Sequence, residues 1–218
     1  MSITAKNNGN NFELTPAGNH IARCYSMVEI GTVKEEFKGE VKNLHKVRIT
    51  WELPLELRTF NPDKGEQPFS ISKEYTLSMH EKAVLRKDLS SWRGKPFSED
   101  EAKAFDITKL LGIPCMLNVV HIVSSKSGNA YANVAAITPM PKGTQCPPQI
   151  NDNFEFNYSD FEDTKFQSLP EYLRKKMEVT PEYLFAKGLK PADNGSAFGK
   201  QSVTEAFTNG SDTDDLPF

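Results

Sequence analysis

The sequence predicts a mainly β protein: a small β-barrel with a helical insertion between its third and fourth strands, then a short helical extension and a disordered C-terminal tail. Three observations carry this. Side chains alternate in character with a period of two along three successive stretches before residue 79. Between residues 81 and 112 the apolar spacing lengthens to that of helices, and Ser98 and Glu101 form an S-x-x-E capping box. Two further strand-like stretches then follow, separated by the turn residues 124–129, SSKSGN.

Residues 1–19 are polar and Asn-rich and read as a flexible arm. Over residues 21–30, Ala22, Cys24, Ser26, Val28 and Ile30 alternate with Arg23, Tyr25, Met27 and Glu29, which predicts the first strand. Residues 41–53 form the second, with Val47, Ile49, Trp51 and Leu53 on one face and Lys46, Arg48, Thr50 and Glu52 on the other. Trp51 shares the apolar parity and is assigned to the core. Residues 54–68 contain three prolines and mixed charge and read as a loop. The third strand covers residues 69–78, with Ile71, Tyr75 and Leu77 on one face.

A short helix is predicted over residues 81–91, with Val84, Leu85 and Leu89 on one side, and a second begins at the capping box and stops at Gly112 and Pro114. Residues 115–123, rich in valine, and 131–137 complete the strands. His121 alternates with Val119 and Val123, which predicts a core position. Three strands, a helical segment and two strands is the order of the OB-fold, a five-stranded Greek-key barrel. Closing such a sheet also removes the exposed edges that five short strands would leave.

The predicted barrel domain spans residues 20–143. Residues 144–192 form the extension, acidic and Phe-bearing at first, with short helices over 169–177 and 181–187. Residues 193–218 are rich in Gly, Ser, Asn and Thr and read as a disordered acidic tail.

The net charge is −3, but it is unevenly placed. Residues 1–143 carry 19 Lys+Arg and 16 Asp+Glu; residues 144–218 carry 7 and 13. A mildly basic body therefore precedes an acidic end. No run of 18 apolar residues exists, so no membrane partner is expected. The N-terminus lacks the basic-then-apolar order of a secretory signal. Cys24, Cys115 and Cys146 are odd in number and far apart, which points to a reducing, cytoplasmic setting and away from a disulfide framework or structural zinc. No metal and no cofactor are expected. There is no P-loop, GxSxG, HExxH or GxGxxG motif, so no enzyme is predicted; Glu35, Glu36 and Glu40 are read as a charged loop rather than a nuclease site.

The sharpest signal is the end of the chain. Asp212, Asp214 and Asp215 precede Leu216, Pro217 and Phe218, which carries the terminal carboxylate. Such a segment suits docking onto a partner: the ring into an apolar pocket, the carboxylates onto basic groups at its rim. A flexible tether of about 25 residues spans roughly 27 Å in root-mean-square terms.

The terminal Asp-Asp-Leu-Pro-Phe closely resembles the C-terminal tip of bacterial single-stranded DNA-binding proteins, which end in an acidic run, a hydrophobic residue, Pro and Phe. The resemblance covers residues 212–218 alone. The run from Tyr75 to His121 resembles phage-encoded proteins of the same functional class. Together these imply single-stranded DNA as ligand and host replication and repair proteins as partners of the tip, in replication, recombination and repair. They leave homo-oligomerisation open.

A single-strand binder needs cations for phosphates and flat rings for bases. The candidates are Arg23 and Tyr25 on the first strand; Lys42, Lys46 and Arg48 on the second; Phe37 in the loop between them; Lys73 and Tyr75 on the third; Arg86, Lys87, Trp92 and Arg93 around the inserted helix; and Lys126 and Tyr131 beside the last turn. Tyr75 and Trp92 have the alternative of filling the core. Two other functions share these features: an adaptor barrel that binds proteins alone, and a recombination factor that anneals complementary strands.

Overall fold

One long strand organises the molecule. In the computed structural model, which describes residues 13–37, 39–125 and 127–190, β1 (Gly18–Phe37) is followed by β2 (Glu40–Asn61), β3 (Gly65–Thr76), α1 (Val84–Arg93), α2 (Glu99–Lys103), β4 (Pro114–Val123) and β5 (Ala130–Thr138). The extension contributes β6 (Phe154–Phe156), α3 (Asp163–Ser168), α4 (Glu171–Met177) and α5 (Pro181–Ala186). The fold is mainly β, a curled antiparallel half-barrel in the order β3-β2-β1-β4-β5, with the helical insertion between β3 and β4 that the sequence predicts.

β1 serves both halves of this sheet. Its first residues pair with β4, from Gly18–Val119 to Arg23–Pro114, and most of its length pairs with β2. Register shifts between Cys24 and Ser26, and between Glu29 and Gly31, bend it. They also exchange its faces. Ala22, Cys24 and Met27 enter the barrel core, whereas Val28 and Ile30 enter a second core on the outer side. The simple alternation, which set Val28 and Ile30 beside Ala22 and Cys24, is corrected by the bulge.

β2 keeps its period, and Val47, Ile49, Trp51 and Leu53 are all buried in the barrel. Trp51 packs against Trp92 of α1, ring centroids 5.9 Å apart. Residues 54–68 are not a loop: β2 and β3 run through them as a hairpin around a 3-10 turn at Pro62–Lys64. Pro54 falls in the register shift between Leu53 and Leu57, where a missing N–H removes no ladder bond. His121 is also displaced from its expected place. It lies beyond the core end of β4, exposed, its ring Nε2 2.9 Å from the Thr15 carbonyl.

β3 and β5 share no ladder, and α1 fills the gap between them. Asp88 accepts from Lys73 Nζ at 2.8 Å and from the Tyr75 hydroxyl at 2.9 Å, Lys73 also reaches the Val134 carbonyl at 3.3 Å, and the Ser91 hydroxyl donates to the Ile137 carbonyl at 2.5 Å. The capping box holds as predicted: Ser98 Oγ accepts from Glu101 N, and the Glu101 carboxylate accepts from Ser98 N.

The extension is built into the sheet. β6 pairs in parallel with β1 at Ser26–Val28, on the edge that β4 leaves at Arg23. Phe156, Phe166, Leu169, Leu173 and Met177 then close over Val28, Ile30 and Val33 as the second core. Each such buried side chain contributes about 1.5–3 kcal/mol. α4 and α5 match the helices expected over 169–177 and 181–187; β6 and α3 arise where no period was visible. Gly31 permits this docking. It adopts φ +92°, and a β-carbon there would stand 2.8 Å from Thr180 Oγ1 and Glu182 Oε2.

The predicted arm at residues 1–19 and tail at 193–218 lie largely outside the described residues. The part of the arm that is described is tied down: Thr15, buried, donates its hydroxyl to the Ser70 carbonyl, and β1 begins at Gly18.

Candidate nucleic-acid interface

The outer face of β1, β2 and β3 gathers four of the predicted residues. Because β2 alternates regularly, Lys46, Arg48, Thr50 and Glu52 all point away from the barrel interior. In register beside them on β3 stand Glu74 opposite Arg48, Ser72 opposite Thr50 and Ser70 opposite Glu52. Thr50 and Ser72 hydrogen-bond through their hydroxyls at 2.9 Å. Tyr25 sits at the β1 bulge, half-buried, and reaches Ser70; burial pushes its phenol above the ordinary range. Arg48 lies 3.4 Å from Glu74, and its guanidinium sits 5.5 Å from the ring centre of Tyr172 on α4. Lys46 pairs with Glu35 at 2.9 Å. Lys42 is half-buried at the start of β2, opposite Glu35 in register.

Some polar groups of this face hold the chain together rather than face solvent. Arg23 donates to the Gly112 carbonyl at 2.7 Å and to the Pro147 carbonyl at 2.8 Å, so it ties the insertion to the extension. Glu52 is fully buried and accepts from Ile150 N, Asn151 N and Asn151 Nδ2 at 2.9, 2.8 and 2.7 Å. Further along, His45 lies between Glu29 at 2.8 Å and Glu182 at 3.2 Å, and Glu182 also accepts from the backbone N–H and hydroxyl of Thr32. Burial alone would lower the His45 pKa, but the two carboxylates outweigh it and push it up to about 9. Burial likewise opposes ionisation of Glu182, yet His45 and Thr32 bring it down to about 2.

Other predicted residues stand elsewhere. Lys73 and Tyr75 face inward at the β3–β5 gap, on Asp88. Tyr75 and Trp92 are each only 3% exposed; they belong to the core, and the Trp92 indole donates to the Pro114 carbonyl. Arg86 is buried, its guanidinium satisfied by the Met79 and Phe97 carbonyls and by Glu99. These four are corrected from ligand contacts to structural parts, because their polar atoms are already matched inside the fold. Arg93 pairs with Glu101 at 2.7 Å and lies over the Phe97 ring. Lys87 is exposed on α1, and Tyr131 is exposed on β5 opposite Ile122; neither belongs to β1, β2 or β3. Phe37 ends β1 opposite Glu40, its side chain outside the described residues, as is Lys126. Asp212, Asp214, Asp215, Leu216, Pro217 and Phe218 also lie outside them.

No protein-family model matches the chain, and no curated protein matches it in sequence. The site therefore rests on the chain's own residues. Among the described residues, no three His, Cys, Asp or Glu side chains gather as a metal site, and no helix is long and apolar enough to cross a membrane.

Sequence reasoning missed the contribution of α4. Tyr172 and Lys176 reach the outer face, Tyr172 over Arg48 and Lys176 to Glu74 at 2.5 Å. The only available signal was the basic run Arg174, Lys175 and Lys176, which carries no hint of the strand it meets.

Proposed function

We propose that this chain binds single-stranded DNA without sequence preference, and that its C-terminal tip recruits replication and repair proteins. The observation that carries the reading is one surface: on the outer side of a half-barrel with OB-type strand order, Tyr25, Lys46 and Arg48 lie within neighbouring strands. Ring and cation side by side suit a strand whose bases stack while its phosphates need counter-charge. The second element is chemical rather than spatial. Residues 212–218 join aspartates to a terminal Leu-Pro-Phe, a segment suited to docking and resembling the tips of bacterial single-stranded DNA-binding proteins. The resemblance of residues 75–121 to phage-encoded proteins adds a phage setting, with the tip addressing host enzymes. Strand annealing would use the same surface and is separated by an annealing assay.

One observation favours a protein-only adaptor instead. Lys46 and Arg48 already hold Glu35 and Glu74, so the face is largely neutralised from within. Glu35 is 45% exposed, so the Lys46 pair is open to solvent at its carboxylate end, and Arg48 and Glu74 each keep about a quarter of their surface in water. A polyanion competes for their cations.

Titration of the full chain against labelled oligo-dT and duplex at two salt concentrations decides between the readings. The expected result is tighter binding to oligo-dT than to duplex, falling steeply with salt. Replacing Lys46→Ala and Arg48→Ala together weakens oligo-dT binding roughly 10- to 100-fold and flattens the log–log salt slope by about 1.4, at about 0.7 for each phosphate that no longer meets a cation. Lys176 remains beside Glu74, so the double variant strands no carboxylate there. Absence of oligo-dT binding, or an unchanged double variant, sinks the DNA reading in favour of the adaptor.

A further inference from the structure

We infer that the extension is part of the nucleic-acid surface, with Tyr172 of α4 as a base-stacking platform and Lys176 beside it as a phosphate contact. This rests on the single-stranded DNA reading above and names residues that the barrel alone does not contain.

Three observations converge at one place. The first is the ring. Tyr172 is 56% exposed, although it sits on a helix whose neighbours Leu173 and Met177 are buried in the second core. One ring face lies toward the Arg48 guanidinium, 5.5 Å from the ring centre. A phenol held from below by a cation, on a helix fixed by two buried anchors, is a rigid platform with its remaining surface open to solvent.

The second is charge. Arg48 and Lys176 converge on a single carboxylate, Glu74, at 3.4 and 2.5 Å. Two cations around one anion leave this triplet net positive, in a chain whose overall charge is negative. Lys175, one position along, is 71% exposed and, among the described residues, pairs with Glu171 of its own helix, a pair too solvated to hold it.

The third is continuity. Arg48 belongs both to this triplet and to the β2 row that includes Lys46, and Tyr25 stands on the same outer face. α4 therefore extends the strip of rings and cations on the barrel rather than starting a separate one. The extension's closure over β1 places Tyr172 and Lys176 there. A single strand fits the strip because it offers a flat base and a phosphate at each step, whereas an acidic peptide such as residues 212–218 offers a single ring at its end.

Oligo-dT titrations of full-length variants test this, with circular-dichroism melting as the control for folding. Tyr172→Ala weakens oligo-dT binding roughly tenfold, since stacking on one base carries about that much affinity, and leaves the salt slope unchanged. Tyr172→Phe keeps the ring and binds within about twofold of the parent. Lys176→Gln gives the opposite signature, a slope flatter by about 0.7 with a smaller loss at high salt. Tyr172→Ala binding oligo-dT as the parent does, with an unchanged melt, overturns the inference while leaving the broader function standing. A parent that fails to bind oligo-dT removes the function itself. Loss in Tyr172→Ala of binding to a peptide of residues 212–218, with oligo-dT binding intact, also overturns it and reassigns the platform to an acidic peptide.

Discussion

Glu52→Ala lowers the stability of this protein by about 2–4 kcal/mol and frees the start of its extension. The carboxylate is fully buried and receives three N–H groups, two from the backbone of Ile150 and Asn151 and one from the Asn151 side chain. Alanine removes all three acceptors at once. Each buried donor left without a partner costs about 1–3 kcal/mol, and hydrogen bonds to charged groups stand at the upper end of the scale. The loss stays below the sum of the three because the segment has an escape. Ile150 is exposed and Asn151 half-buried, so both can swing into water. That movement is the more informative consequence, since amide exchange at residues 150 and 151 should accelerate well beyond the rest of the sheet. At this chain length the expected drop in Tm is roughly 5–15 °C. Glu52→Gln retains one acceptor oxygen but turns an amide N–H₂ toward donors, and falls between parent and alanine. Unchanged exchange at 150–151 together with a melt within about 2 °C of the parent would show that Glu52 does not hold the extension.

The barrel was legible in the sequence because its signal is local. Strict alternation in β2 set Val47, Ile49, Trp51 and Leu53 against Lys46, Arg48, Thr50 and Glu52, and the structure keeps both faces. The capping box at Ser98 and Glu101 located the start of α2, but the helix ends at Lys103 rather than at Gly112, and a separate 3-10 turn covers Ile107–Leu110. What was hidden is whatever depends on distant partners. A single bulge after Cys24 reverses the parity of β1, and nothing in the composition of residues 21–30 announces it. Residues 54–68 looked like a loop because their prolines suggested breaks; paired as a hairpin, the same residues need only a register shift to accommodate Pro54. Arg23, Arg86 and Lys73 read as free cations because sequence shows a charge but not the carbonyls that claim it.

The candidate site was accordingly half visible. Lys46, Arg48 and Tyr25 could be placed on one face from parity within their own strands. Tyr172 and Lys176 could not, since they join that face only after β6 pairs with β1 and α4 settles over Val28 and Ile30. The residues that fix the extension, Glu52, His45 and Glu182, are ordinary surface types in the sequence, and burial alone turns them into clamps.

The His45 clamp predicts how the extension responds to pH. Its imidazole is held between Glu29 and Glu182, and its pKa in the folded chain stands at about 9 against the ordinary 6.5. A group whose folded pKa is raised contributes stability in full below its unfolded pKa and loses it as pH climbs through the folded one. His45 therefore stabilises the docked α5 fully below about pH 6.5, and that contribution drains away as pH rises toward 9 and beyond. Its full size is roughly 3 kcal/mol as an upper figure, from about 1.4 kcal/mol per unit of pKa difference. Glu182 has the opposite sign. Its folded pKa is about 2, so its contribution is present above the usual carboxylate range and disappears only as pH falls toward 2. Between these limits, around pH 5 to 6.5, both halves of the clamp are charged and the contact is strongest. Urea denaturation across pH 5–10 should show the parent losing stability between pH 6.5 and 9. His45→Gln cannot titrate; it should start less stable at pH 6 and show a flatter profile through that interval, the two curves converging near pH 9. Parallel curves for parent and His45→Gln would mean that His45 takes up its proton equally in the folded and unfolded chain, so that packing, rather than charge, seats α5 against β1.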